Sequence, residues 1–390
     1  MGVLRNRFLS PRNLLVAALL TATADAFAQP PRGPQARSPQ VHADGTITLE
    51  YLAPDAESVL LDGGQFGARD LPMEQDSNGI WRVTYGPIEP DIYPYAFKVD
   101  GVLVQDPANP HYFPNERFRG SLVDVPADTS LIHDLRDVPH GTVTYAYYPS
   151  VAGSTGRLLV YTPPGYDEEP DRRYPVYYLI SGTTDTEETW YKAGRSNLIL
   201  DNLIAEGRAE PMIVVMPYGN PAATVAEQRG EPKPDDPPRE TEAAVARIDQ
   251  FGEDLTENVI PYVDATYRTR PDRTSRAIGG FSRGGGQTLQ TAFSHMDTFA
   301  WVCSYSAYLD TDLMESRFPD IAGKAAQTND SLKLLWLSVG DEDFLYEDVR
   351  EFMAYLDEHG VDYRKYISGG GHTWMNTKDY LARTAQLLFQ

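Results

Sequence analysis

The sequence predicts an α/β protein in which a mostly parallel sheet, covered by helices on both faces, follows a small all-β sandwich. Three observations carry this expectation. Short alternating runs broken by turn dipeptides fill the region from about residue 41 to 125, apolar runs alternate with helical patterns after residue 142, and Gly280-Phe281-Ser282-Arg283-Gly284 stands between a strand-like and a helix-like segment.

In the first region, residues 46–52, 58–61, 81–85 and 93–99 have the two-residue period of half-buried strands. Asp100-Gly101 lies between two such runs and supplies the positive φ angles of a tight hairpin, and Asn78-Gly79 repeats the device. The sandwich is assigned to residues 41–130. Beyond a connector, residues 176–180, 212–216, 277–280, 301–305 and 334–339 are compact apolar runs of the kind found in buried parallel strands. Helices are expected over 197–206, 348–359 and 377–389; the second places Val349, Phe352, Met353 and Leu356 on one face and ends at Gly360. The stretch 219–239 holds five prolines and is expected to be an irregular loop near the mouth of a site, since it leaves the sheet at a strand end.

Composition narrows the function. The 390 residues include 34 Lys+Arg and 56 Asp+Glu, giving a formal charge of −22, which disfavours nucleic acid and anionic lipid as partners. A single cysteine, Cys303, excludes a disulfide framework and a multi-thiolate zinc site. At the N-terminus, Arg5, Arg7 and Arg12 precede an apolar run over 14–20, and Ala26-Phe27-Ala28 has the small-x-small pattern of a signal-peptide cleavage site. Residues 1–28 are therefore expected to be a removable leader, with cleavage after Ala28, and the chain to be secreted or periplasmic. A Pro-rich lead-in over 29–40 follows.

The G-x-S-x-G segment at a strand-to-helix turn is what a nucleophile elbow requires, because the sharp turn brings two backbones together and admits only small neighbours. A serine hydroxyl needs a base, and the base needs an orienting carboxylate. His372, after Gly369-Gly370-Gly371 at the end of a strand-like run, is the candidate base. The acid should follow the run 334–339, where Asp341 and Asp343 compete. The oxyanion donors are expected to be the backbone N–H groups of Arg283 and of Thr183, the latter just past the strand 176–180. Trp190, Tyr191 and Trp374 are the aromatic candidates to stack on substrate.

On these residues the chain resembles the carbohydrate esterase family that holds bacterial feruloyl esterases and acetyl xylan esterases, with enterochelin esterases and esterase D as relatives. The resemblance runs through Ile278-Gly279-Gly280-Phe281-Ser282-Arg283-Gly284-Gly285-Gly286-Gln287, Leu159-Val160-Tyr161-Thr162-Pro163-Pro164-Gly165-Tyr166 and Gly369-Gly370-Gly371-His372-Thr373-Trp374. It implies an α/β-hydrolase domain over 138–390, Ser282 as nucleophile, His372 as base and, through Gly340-Asp341-Glu342-Asp343, Asp343 as acid. Gln287, Trp190 and Trp374 are the candidates to bind substrate. The upstream sandwich is similar to the immunoglobulin-like (E-set) module of branching enzymes, through Asp106-Pro107-Ala108-Asn109-Pro110 and Asn78-Gly79-Ile80-Trp81, and is a candidate carbohydrate-binding module. The implied activity is hydrolysis of feruloyl or acetyl esters on xylan without metal or cofactor. A siderophore or small-molecule esterase, an acyltransferase and an inactive carbohydrate-binding scaffold are the alternatives. The chain departs from the family pattern at Ser181-Gly182, where His-Gly is usual, and at Arg283, where Met is usual.

Overall fold

The computed structural model describes residues 33–235 and 241–390; the expected leader lies outside the described residues. The N-terminal part contains β1 (Gln40–Val41), β2 (Ile47–Leu52), β3 (Val59–Gly63), β4 (Ala68–Pro72), β5 (Glu74–Gln75), β6 (Ile80–Tyr85), β7 (Asp91–Val99), β8 (Val102–Val104), β9 (Tyr112–Phe113) and β10 (Gly120–Val125). They form two facing sheets, β1-β2-β6-β5 and β4-β3-β7-β10-β9, with β8 paired to β7. Ile47, Leu49, Leu61, Tyr95, Phe97 and Val123 close the space between them. Each fully buried large apolar side chain contributes about 1.5–3 kcal/mol. Asp100 and Gly101 adopt φ of 47° and 84°, so Val99 pairs with Val102 across the expected two-residue turn.

The second part is built on β11 (Thr142–Pro149), β12 (Thr155–Thr162), β13 (Val176–Ile180), β14 (Ile213–Pro217), β15 (Arg276–Phe281), β16 (Trp301–Tyr305), β17 (Leu334–Gly340) and β18 (Arg364–Ser368). Their spatial order is β11-β12-β14-β13-β15-β16-β17-β18, antiparallel at the β11 edge and parallel from β13 and β14 to β18. Successive residues of β13 serve opposite faces: Tyr178 and Ile180 enter one core and Tyr177 and Leu179 the other. That two-sided burial is why these strands read as continuous apolar runs. The antiparallel pair β11–β12 lay outside the strands expected from sequence. Tyr145 and Tyr147 of β11 are exposed, so this edge strand carries no apolar run to announce it.

The helices of the second part are α1 (Thr189–Lys192), α2 (Ser196–Ala205), α3 (Pro221–Arg229), α4 (Glu242–Asp254), α5 (Ile260–Thr266), α6 (Arg283–Ser294), α7 (Thr311–Arg317), α8 (Pro319–Gly323), α9 (Ala325–Ser331), α10 (Tyr346–His359) and α11 (Trp374–Ala385). Helix α3 corrects the expectation of an irregular loop over 219–239. Pro221 occupies the first helical turn, where its missing N–H costs nothing, Asn220 caps the Ala223 N–H at 3.2 Å, and Gly230 ends the helix at φ 69°. Helix α11 begins three residues before the expected start because the Thr373 side chain accepts from the Asn376 N–H at 3.2 Å.

The two parts share a charged, buried seam. The Lys378 ammonium of α11 bonds the Asp91 carboxylate of β7, and both side chains are buried. His133, pulled down to about 3 by burial and then by the Lys378 charge, is a neutral neighbour 3.6 Å from Asp91. The Tyr93 hydroxyl of β7 lies 3.7 Å from the Met375 sulfur, and the Trp374 backbone N–H donates to the Gln65 side chain at 3.2 Å. Removing one partner of a buried ion pair strands the other, typically at about 3–5 kcal/mol.

Candidate active site

Ser282 sits at the turn from β15 into α6 with φ 57° and ψ −123°, a left-handed backbone that serine adopts only under constraint. Its N–H donates to the Tyr305 carbonyl at 2.9 Å, tying the turn to the end of β16. The flanking glycines are there for space. A Cβ on Gly280 would lie 2.5 Å from the Gly284 carbonyl, and one on Gly284 would lie 2.5 Å from the carbonyl oxygens of both Ile180 and Ser181. Gly284→Ala should therefore force β13 and α6 apart. The expected cost is about 1–3 kcal/mol, read as a lower urea midpoint with unchanged slope.

The loop after β18 carries His372. Its Nδ1 lies 2.9 and 3.0 Å from the two carboxylate oxygens of Asp343, which follows β17. The acid loop and the histidine loop also bond directly: Asp341 N–H donates to the Ser368 carbonyl at 2.9 Å and Glu342 N–H to that of Gly370 at 3.0 Å. Asn376, in the first turn of α11, donates to the carbonyl of Gly369 at 2.7 Å and braces the same loop. The Asp343 carboxylate is buried while Asp341 is exposed, so the competition between them ends with Asp343 in contact with the imidazole. Burial pushes the Asp343 carboxyl up, but the bond and charge of His372 and the Leu345 N–H at 2.9 Å outweigh it and hold the group below its ordinary value. The imidazole is packed between Phe281, at 4.5 Å between ring centroids, and Phe344, at 4.6 Å. With Nδ1 engaged by Asp343, Nε2 is the ring nitrogen left to exchange a proton.

Arg283 N–H opens α6 directly after the serine, and Thr183 is the exposed residue of the loop after β13. Gly182 brings that loop against the serine: a Cβ there would be 3.3 Å from the Ser282 Cβ. The Arg283 guanidinium folds back and donates to the Gly182 carbonyl at 3.3 Å. Behind the loop, the Asp185 carboxyl accepts from the Gly182 N–H at 3.2 Å and from the Asn115 side-chain amide at 2.8 Å. Burial pushes this carboxyl up to about 7, against the opposing pull of those two donors and the Arg283 charge.

Ser282, Thr183 and Arg283 border one cavity of about 330 Å³. Its walls include Val245, Ile248, Leu309, Leu313 and Phe344, with Gln287, Gln290, Arg247 and Asp310 adding polar atoms. Gln287 lines the cavity, and its amide nitrogen is spent on the Gly219 carbonyl at 2.8 Å. Trp190 and Trp374 do not line it, which corrects their assignment as stacking platforms. They are buried, cross each other edge-to-face at 5.1 Å, and Trp374 packs under Phe281 at 5.4 Å, so their large apolar surfaces support the elbow from below. Tyr191 is also absent from the cavity wall. Tyr308 and Phe344 are the aromatics of the cavity wall that the sequence did not single out; Phe344 is 69% exposed, and its place directly after Asp343 was the available signal.

A strained serine at a strand-to-helix turn and an acid and histidine at the ends of later strands of one parallel sheet define the α/β-hydrolase class. The family model Esterase, described as "Putative esterase", matches residues 151–381, more than half of the chain. The chain belongs to this esterase family. It is 27% identical over 377 residues, 94% of its own length, to an "Endo-1,4-beta-xylanase/feruloyl esterase" of Xylanibacter ruminicola, and spans 48% of that protein's length. Among solved structures, a ferulic acid esterase from Anaeromyces mucronatus aligns with 66% of this chain and 93% of its own at 22% identity and a TM-score of 0.53. The enterobactin esterase FES from Shigella flexneri aligns with 92% of this chain and 96% of its own at 14% identity and a TM-score of 0.61, so the fold likeness reaches across both parts.

Proposed function

We propose that this chain is an exported serine carboxylesterase that hydrolyses aromatic acyl esters, of the feruloyl type, carried by plant cell-wall polysaccharide. The observation that carries the reading is the His372 imidazole, fixed by the buried Asp343 carboxylate beside an apolar cavity that Ser282 borders. Ser282 Oγ attacks the ester carbonyl carbon as His372 Nε2 takes its proton. The N–H groups of Arg283 and Thr183 receive the oxyanion. Collapse of the tetrahedral intermediate breaks the bond to the sugar oxygen, which leaves with the proton from His372. Water, deprotonated by the same nitrogen, then attacks the acyl-enzyme and releases the acid.

The cavity volume favours an aromatic acyl group over acetyl. About 330 Å³ lies at the small end of ligand pockets, and an acetyl group would leave most of its apolar wall in contact with water. The name of the Xylanibacter relative joins endo-1,4-beta-xylanase with feruloyl esterase, which supports the same acyl class and the same polymer. Export is supported by the leader read from residues 1–28; among the described residues no helix is long and apolar enough to cross a membrane. Initial rates on methyl ferulate, acetylated xylan and an aryl acetate test the assignment, with methyl ferulate expected to give the highest kcat/KM. Phe344→Ala should raise KM for methyl ferulate roughly 2- to 10-fold, the worth of one aromatic stacking contact, and leave KM for the aryl acetate nearly unchanged.

A further inference from the structure

We propose that Asn115, a residue of the N-terminal sandwich part, is a positioning residue for the oxyanion loop, so that the sandwich completes the catalytic site. This rests on the reading of Ser282 as nucleophile and Thr183 as oxyanion donor.

The loop after β13 has internal bonds between Gly182 and Asp185, but much of its anchoring comes from outside it. Thr184 has φ 62°, a left-handed conformation that a non-glycine residue keeps only where its surroundings enforce it. The enforcing contacts come from residues 114–116, between β9 and β10. Asn115 and Asp185 form an isolated antiparallel bridge. Glu116 N–H donates to the Thr184 carbonyl at 2.8 Å, Thr186 N–H to the Pro114 carbonyl at 3.3 Å, and Thr189 Oγ1 to the same carbonyl at 2.7 Å. The residue that must place its N–H, Thr183, is thus flanked by a backbone clamp from the other part of the molecule.

The side chains lock the clamp in one orientation. Asn115 Oδ1 accepts from the N–H groups of Arg117 at 3.0 Å and Phe118 at 2.8 Å and from the Thr184 hydroxyl at 3.1 Å. Those donors fix which end of the amide is oxygen, so the NH2 end faces Asp185. Asp185 then passes the restraint on, since its second oxygen accepts from the Gly182 N–H at 3.2 Å. Gly182 is the residue packed against Ser282. A chain of contacts therefore runs from the sandwich through Asn115 and Asp185 to the backbone beside the nucleophile.

Two substitutions break this chain at different links. Asn115→Asp keeps the size and the accepting oxygen but loses the donor toward Asp185. Asp185→Asn puts an NH2 where both facing groups are themselves N–H donors. Steady-state kinetics on methyl ferulate, run well below each variant's Tm, should show kcat reduced about 10- to 100-fold with KM within threefold of wild type. That loss lies below the roughly 100- to 1000-fold of deleting an oxyanion donor outright, because the N–H is displaced and not removed. Affinity for an aryl boronic acid, whose serine adduct mimics the tetrahedral oxyanion, should fall in parallel, while affinity for free ferulate should not. A folded Asn115→Asp protein with kcat within twofold of wild type would overturn the inference. If that variant does not fold, Asp185→Asn carries the same expectation and the same overturning result. A fluorophosphonate separates the two layers of the argument. Labelling of wild-type Ser282 with no loss of kcat in the variants defeats the positioning role alone, whereas failure to label wild-type Ser282 defeats the reading beneath it.

Discussion

Alanine at position 282 is expected to lower kcat on methyl ferulate by about 10⁶-fold, the scale seen when a triad nucleophile is removed, while leaving the protein folded. Only the hydroxyl is lost. The N–H of residue 282 still donates to the Tyr305 carbonyl, and the flanking glycines still provide the close approach of β13 and α6. The side chain is half-buried at a turn, outside the packed core, so thermal midpoints of the two proteins should agree within a few degrees. Residual hydrolysis within an order of magnitude of wild type would place the nucleophile elsewhere.

The second large effect is expected at Asp343. Asparagine there cannot accept from His372 Nδ1–H with both oxygens and favours the wrong imidazole tautomer, which costs about 10⁴-fold in kcat in this arrangement. Asp341→Asn, two residues away and exposed, should change kcat less than threefold. A stability signature accompanies the kinetic one. The Asp343 carboxyl is held below its ordinary value of 3.8 in the folded protein. Its contribution to stability is therefore fully present above that pH and is lost as pH falls through the folded value. Wild type should be the more stable protein at pH 7, and the gap to Asp343→Asn should close below pH 3.8 in urea titrations. A gap that stayed constant down to pH 3 would mean that the difference does not come from the ionised carboxylate.

How far the sequence exposed this site depended on whether each constraint was local. The elbow was legible because the glycines that the close approach of β13 and the turn requires, Gly280 and Gly284, stand two residues to either side of Ser282, and that pattern is written in consecutive letters. His372 was legible because it ends a glycine run at a strand terminus. The acid was legible only to a pair, since Asp341 and Asp343 share one turn and composition does not say which carboxylate turns inward; the family resemblance favoured Asp343, and the contact with His372 agrees. Trp190 and Trp374 were misread for a related reason. Proximity along the chain to a site loop does not reveal whether a side chain faces the cavity or the core beneath it, and here burial won, with Trp374 packed against Phe281 and Trp190 against Trp374. Helix α3 was hidden by counting prolines without their positions: Pro221 is at a helix start, and Pro232 and Pro234 come after the helix has ended. The Asn115–Asp185 link joins residues 70 positions apart in different parts of the fold, and nothing in either local sequence marks the other as its partner.

In the proposed mechanism Ser282, His372 and Asp343 act as one proton-relaying unit at the carboxyl edge of the parallel sheet. Peptide mapping after reaction with a fluorophosphonate tests it most directly, comparing wild type with His372→Ala. The expected result is one adduct per chain, on the peptide that contains Ser282, and labelling slowed by at least a hundredfold when the imidazole is gone. An adduct on another serine, or equal labelling rates in the two proteins, would contradict it.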